Sequence, residues 1–301
     1  MHSNLPATFE IKSEEGRRRM ELIFFHAVEQ SNVSLARDCI NKGVSPNTFN
    51  DHHLAPLHLA AAMGDMHIGL LLMNHPKTNL NLTTPTGQTA LILACLYDKR
   101  PFLKALLAKG ADPNIESNKG QTALHIACKN RFIAMVTDLT SAGANLNVLD
   151  TFDNTPLSIA VTNYPSEPIA RHLMKKGARA TEVKDFPLLL ECVLHCHSSY
   201  GLQILKLLLM FDVDIKCVHP VTKMNCLHYT GITGYSPAAE QLLVNGANLH
   251  QIDRMGRTPL QVAEDHENRD VALLFERWVE KRKVYFAPSE NIVEDIHTLY
   301  D

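Results

Sequence analysis

The chain has 301 residues, 45% of them hydrophobic and 20% charged, with a formal net charge of −3. So even a balance offers phosphate no global attraction, which sets nucleic acid aside as a default partner. No stretch is long and apolar enough for a transmembrane helix, and seven cysteines form an odd set without framework spacing, so membrane insertion and a disulfide scaffold are both disfavoured.

In chain order, residues 1–18 read as a polar N-terminal segment, with Arg17-Arg18-Arg19 marking a solvated helix start. Met1 to Lys12 show neither a basic start with an apolar run nor a small-residue cleavage site, so the expected location is the cytoplasm, with the nucleus as the alternative. A period then sets in. Gly87-Gln88-Thr89-Ala90-Leu91 returns 33 positions on as Gly120-Gln121-Thr122-Ala123-Leu124, and again as Asp153-Asn154-Thr155-Pro156-Leu157. Ala55-Pro56-Leu57-His58 precedes these, and Arg257-Thr258-Pro259-Leu260 follows near the C-terminus. A second element keeps the same phase: Gly110-Ala111-Asp112-Pro113-Asn114, Gly143-Ala144-Asn145-Leu146-Asn147 and Gly246-Ala247-Asn248-Leu249.

The two elements in register resemble the ankyrin-repeat family, over roughly nine tenths of the chain. The resemblance implies an all-α fold: a solenoid of stacked helix-turn-helix units with β-hairpin loops. The array is expected at 19–286, in repeats at about 19–50, 51–84, 85–117, 118–150, 151–181, 182–220, 221–253 and 254–286. Repeats 3 and 4 are the most regular. Repeat 2 has Asn74-His75-Pro76-Lys77-Thr78 in place of the Gly-Ala-Asp segment, and repeat 5 inserts Tyr164-Pro165-Ser166-Glu167-Pro168 between its helices. Repeat 6 diverges furthest, with a first helix expected from Phe186 and a second from Leu202 to Met210. Repeat 8, ending in Glu280-Lys281-Arg282-Lys283, reads as a C-terminal cap, and residues 287–301 as an acidic tail.

Each letter has a physical duty. Threonine caps the first helix and proline fits its first turn, where no N–H is needed. Leucine and alanine give an apolar face with close helix approach. Gly43, Gly110, Gly143, Gly177 and Gly246 end second helices in the left-handed conformation. His58, His125 and His228 share one position, which the resemblance assigns to hydrogen bonding between neighbouring hairpins. Cys95, Cys128 and Cys192 share another and read as buried small hydrophobes. Cys192, His195, Cys196 and His197 are the densest thiol and imidazole cluster, but no second pair at zinc-finger spacing accompanies them. No phosphate loop and no nucleophile elbow is present, so no enzyme activity, cofactor, metal or catalytic residue is expected.

The resemblance further implies a non-catalytic protein-interaction scaffold, an adaptor or inhibitor gripping an unidentified protein on a concave face made by hairpin tips and first-helix ends. The alternatives are a substrate-recognition subunit of a ubiquitin ligase, against which no SOCS box is evident, and a cryptic metal site in repeat 6. A monomer is the default. Letters that the scaffold does not require carry the partner information: His52, Leu54, Met63, Thr86, Gln88, Leu96, Tyr97, Lys119, Gln121, Lys129, Asn130, Phe152, Asn154, Asn163, Met255 and Arg257. Aromatic and methionine side chains among them are of the kind that anchors interfaces. Asn81, Asn114 and Asn147 hold the position that in this family is a target of asparaginyl hydroxylation.

Overall fold

Threonine and proline set where the first helices begin. Thr89 accepts from the Ile92 N–H and Thr155 from the Ser158 N–H, while Pro56, Pro156 and Pro259 sit in first turns. In this computed structural model, residues 13–180, 187–211 and 213–285 are described, with side chains to residue 281. The segment 1–12, the first residues of repeat 6 and the acidic tail lie outside the described residues. The chain divides into two compact units, Met1–Val183 and Lys184–Asp301.

The first unit contains α1 Glu14–Glu29, α2 Val33–Asn41, α3 Pro56–Met63, α4 Met66–Met73, α5 Ala90–Leu96, α6 Arg100–Ala108, α7 Ala123–Lys129, α8 Ile133–Ser141, α9 Pro156–Ser158 and α10 Glu167–Lys175. First helices α1, α3, α5, α7 and α9 pack in sequence as one layer, and α2, α4, α6, α8 and α10 pack as a second. The second unit repeats the arrangement with α11 Leu188–Leu194, α13 Cys226–Thr233 and α15 Pro259–Asp265 in one layer. Its other layer is α12 Ser199–Met210, α14 Ser236–Val244 and α16 Arg269–Tyr285. No helix of the described residues is long and apolar enough to cross a membrane.

Small residues let the first helices approach closely. Ala27, Ala60, Ala94, Ala127 and Ala160 are fully buried, flanked by Leu57, Leu91, Leu124 and Leu157. Cys95 and Cys128 are buried beside them, and burial pushes both thiols far above their ordinary value. Fully burying a leucine or isoleucine stabilises by roughly 1.5–3 kcal/mol, so this unbroken row of side chains is the main cohesive force.

The five helix-ending glycines take positive φ as expected, Gly110 at +88°. A Cβ on Gly110 would meet no atom within 4 Å, so only its backbone conformation demands glycine. The hairpin loops close through single backbone bonds, with isolated bridges at Thr83–Thr89 and Val218–Asn225 and no extended strand among the described residues.

Four local expectations change. α1 starts at Glu14, capped by the Ser13 hydroxyl, so the arginine run already lies inside the first helix. Repeat 5 carries one residue more between its threonine (155) and glycine (177) than repeat 4 does between 122 and 143, and the helix itself absorbs it. Residues Ile159–Asn163 form a π-helical turn, with the Tyr164 N–H donating to the Ile159 carbonyl five residues back. In repeat 6, α11 begins at Leu188, after Pro187. Its partner α12 starts at Ser199 rather than Leu202, because the Ser198 hydroxyl caps it by accepting from the Gly201 N–H.

Candidate docking face

The hairpin tips are built by one short polar side chain per repeat. Asn50, Ser117, Asp150 and Asp253 each accept from the backbone N–H groups two and four residues on, which curls the tip. The third tip residue then has positive φ, whether it is Gly87, Gly120 and Gly256 or His53, Asp153 and Lys223. At Gly120 a Cβ would press at 3.0 Å on the backbone of Asp150 and Thr151, so the next tip enforces glycine as well. Successive tips are laced through backbone, Asn118 N–H donating to the Thr86 carbonyl and Thr151 N–H to the Lys119 carbonyl, each at 3.0 Å, with the Asn118 side-chain amide adding a bond to the Pro85 carbonyl at 2.8 Å. Side chains of Thr86, Lys119 and Phe152 are therefore left facing solvent, Phe152 with 58% of its surface exposed.

Beneath the tips the buried histidines tie repeat to repeat. His125 Nδ1 accepts from the Thr122 N–H at 3.1 Å, and Nε2 faces the carbonyls of Val148 and Asn154 at 3.2 Å. His58 and His228 repeat the pattern with Leu82 and Arg257. An Nδ1 that accepts requires the neutral ring protonated on Nε2. Burial holds all three below their ordinary value, outweighing the carbonyl bonds, which pull the other way. The structure thus gives these histidines the lacing duty expected of them.

The asparagine column serves the same purpose on the other loops. Asn81, Asn114 and Asn147 accept, through Oδ1, the backbone N–H of Asp112, Asn145 and Arg179 in the following repeat, at 2.7–3.0 Å. All three proposed modification sites are thus engaged as clips.

The site residues fall into two groups. His52, Met63, Thr86, Leu96, Tyr97, Lys119, Lys129, Phe152, Asn163 and Met255 are exposed. Leu54, Gln88, Gln121, Asn130, Asn154 and Arg257 are half-buried. Of these, Asn154 binds Asp150, Gln121 reaches Asp150 at 3.5 Å, and Arg257 pairs with Asp253 and Asp265. In the first unit Met63, Leu96 and Lys129 occupy one position at the ends of α3, α5 and α7, with Tyr97 beside Leu96. Met255 and Arg257 belong to the second unit.

Sequence reasoning passed over two features. Tyr164, just after the π turn, is 40% exposed and lies under the Lys129 ammonium at 5.8 Å, a cation–π pair that joins repeats 4 and 5. Phe49, Leu149 and Ile252 stand one residue before the tip-curling side chain and are about half exposed. An apolar letter where repeats 3 and 4 have Thr83 and Glu116 was the available signal.

Two layers of short helices, laced hairpin tips and helix-ending glycines define a tandem-repeat protein of helical hairpins. The description "Ankyrin repeats (3 copies)" matches residues 24–117, 96–184 and 194–281, and the chain belongs to the ankyrin-repeat family. The crystal structure of the ankyrin repeat domain of Bcl-3, described as a member of the IkappaB protein family, superposes with a TM-score of 0.66 at 24% identity, covering 73% of this chain and 99% of that one. Transient receptor potential cation channel subfamily A member 1 of Homo sapiens is 33% identical over 87 residues, 29% of this chain and 8% of the channel subunit. The nuclear factor NF-kappa-B p105 subunit of Gallus gallus is 33% identical over 92 residues, 30% of this chain and 9% of that protein. The matched segments span about a tenth of these relatives. Family membership supports a protein–protein interaction scaffold as the general function.

Proposed function

We propose that the first unit is a non-catalytic adaptor or masking inhibitor that grips one protein partner on the face formed by the tips of repeats 2 to 5 and the ends of their first helices. The observation carrying this reading is the set of exposed apolar side chains where the repeat requires none: Met63 at 44%, Leu96 at 40%, Tyr97 at 51% and Phe152 at 58%. Their backbone duties are met without the side chains, so those side chains remain available for a partner. Lys119 and Lys129 set positive charge between them, which favours a partner surface with acidic residues around its apolar anchors.

The test is affinity capture with the full chain, followed by mass spectrometry, repeated with Tyr97→Ala, Lys129→Ala and Phe152→Ala. A partner captured by the parent should be lost or weakened by at least about 2 kcal/mol, roughly thirtyfold, with the melting temperature nearly unchanged. Lys104→Ala on α6 is the control, being exposed in the second-helix layer. Asp138 is unsuitable as one, since it holds Arg100 at 2.8 Å. Undiminished capture by all three variants, with loss in Lys104→Ala, would place docking on the other layer.

A further inference from the structure

In the second unit the asparagine column breaks. Lys216 and His250 stand where Asn114 and Asn147 stand in the first unit, on loops curled alike: the Lys216 N–H donates to Asp214 and the His250 N–H to Asn248, as the Asn114 N–H does to Asp112. A lysine has no acceptor to clip the following loop. A cavity of about 890 Å³ opens there, lined by Lys216, Asn248, Leu249, His250, Trp278 and Val279. Its far wall belongs to α16, which at 17 residues outruns the 9-residue α14 and projects Trp278 over the loop. Lys216 is exposed and forms no ion pair among the described residues, and Trp278 is half-buried. Apolar walls, an aromatic ring and an available ammonium suit an apolar segment that carries carboxylates.

We propose that this cavity is the docking site for the chain's own residues 287–301. That segment holds Glu290, Glu294, Asp295 and Asp301 with no lysine or arginine, interleaved with Ile292, Val293, Ile296, Leu299 and Tyr300. Lys216 on the cavity wall carries the opposite charge, and in sequence the basic run Lys281-Arg282-Lys283 precedes the segment, so the charges are complementary. Reach is ample: six or seven helical residues separate the cavity wall from Tyr285, about 10 Å, whereas fifteen extended residues span up to about 50 Å. A short tether also places the segment at an effective concentration on the order of millimolar, enough to fill a weak site. In this arrangement the tail is a built-in occupant that any acidic partner of the second unit must displace.

Trp278 is the sole tryptophan of the chain, so emission excited selectively at tryptophan, away from the seven tyrosines, reads this cavity alone. In the full chain its emission should be blue-shifted and poorly quenched by acrylamide. Shortening the chain after Tyr285 should shift the emission to the red and raise quenching. Lys216→Glu in the full chain should do the same at unchanged melting temperature, because Lys216 is exposed and clips nothing. If the shortened chain fails to fold, Lys216→Glu alone decides. Emission and quenching that stay at parental values in Lys216→Glu, or in a folded shortened chain, overturn the proposal. So does equal exposure of Trp278 in full and shortened chains with both taking up an unrelated acidic peptide, which would make the cavity a site for an external segment.

Discussion

Repeats 3 and 4 on one side and repeat 6 on the other build a pair of helices from different means. In repeats 3 and 4 a threonine begins the first helix, a glycine ends the second, His125 laces hairpins, and Asn114 clips the next loop. In repeat 6 Pro187 precedes α11, Leu190 stands three residues past that cap where repeat 4 has His125, Phe211 caps α12, and Lys216 replaces the asparagine. What the two regions share is the apolar layer: Leu188, Leu189, Leu190, Ile204, Leu205, Leu207 and Leu208 are as buried as Leu91, Ile92, Leu103, Leu106 and Leu124. Burial, with the Ser198 cap on α12, makes the helix pair without the repeat's threonine, histidine and asparagine. The polar letters fix the loops between pairs.

That division predicts where single substitutions hurt. The largest effect belongs to His125→Ala, which orphans the Thr122 N–H and the Val148 carbonyl and leaves the Asn154 carbonyl with the Asp150 N–H alone; a loss of roughly 1–3 kcal/mol is expected from urea unfolding. His125→Gln should lose less, because repeat 8 already uses Gln261 to accept from the Thr258 N–H at 2.9 Å. Equal losses for Ala and Gln would mean that ring packing, not lacing, is what matters. Next comes Asn114→Ala, expected to cost about 1 kcal/mol through the lost clip to the Asn145 N–H, whereas Lys216→Ala at the equivalent position should stay within about 0.5 kcal/mol. A Lys216→Ala melt as depressed as that of Asn114→Ala would erase the contrast between the regions.

The smallest effect is on pH. His58, His125 and His228 are held below their ordinary value near 6.5, so the folded chain binds fewer protons there than the unfolded one. Their stabilisation is full above about pH 6.5 and shrinks as pH falls through the lowered folded-state values. Urea midpoints should therefore drop on acidification, less steeply in His125→Gln. Hydrogen exchange corrected for intrinsic rates should show the loss around residues 56–158 more than in 188–210, which has no buried histidine. A midpoint that is flat or rises toward acid would contradict the neutral assignment.

Much of this was legible in the sequence because the repeat is a chemical one. Glycine after a second helix, proline in the first turn and histidine three residues past the cap are local demands, and where they are made they leave fixed letters. The sequence reads as an insertion at Tyr164 to Pro168 between the helices of repeat 5, but whether a loop or a helix absorbs extra length depends on packing from both neighbours, and so the π turn at Ile159–Asn163 was invisible. The start of α12 at Ser199 was missed because a serine cap looks like loop polarity when the preceding Cys196-His197 carries no helical period. Among the candidate site residues, the first-helix ends Met63, Leu96 and Tyr97 were readable as unneeded apolar letters. The half-burial of Gln88, Gln121 and Asn154 was not, since it depends on polar partners in the same or the next hairpin.

The buried thiols of Cys95 and Cys128, and of Cys192 and Cys226 in the second unit, carry one more consequence. A thiol held protonated and out of solvent does not react, so alkylation at these positions proceeds only through transient opening of the helices around it. Each compact unit therefore contains its own clock. Labelling rates at four native cysteines would time the breathing of the two units separately, without a single engineered residue.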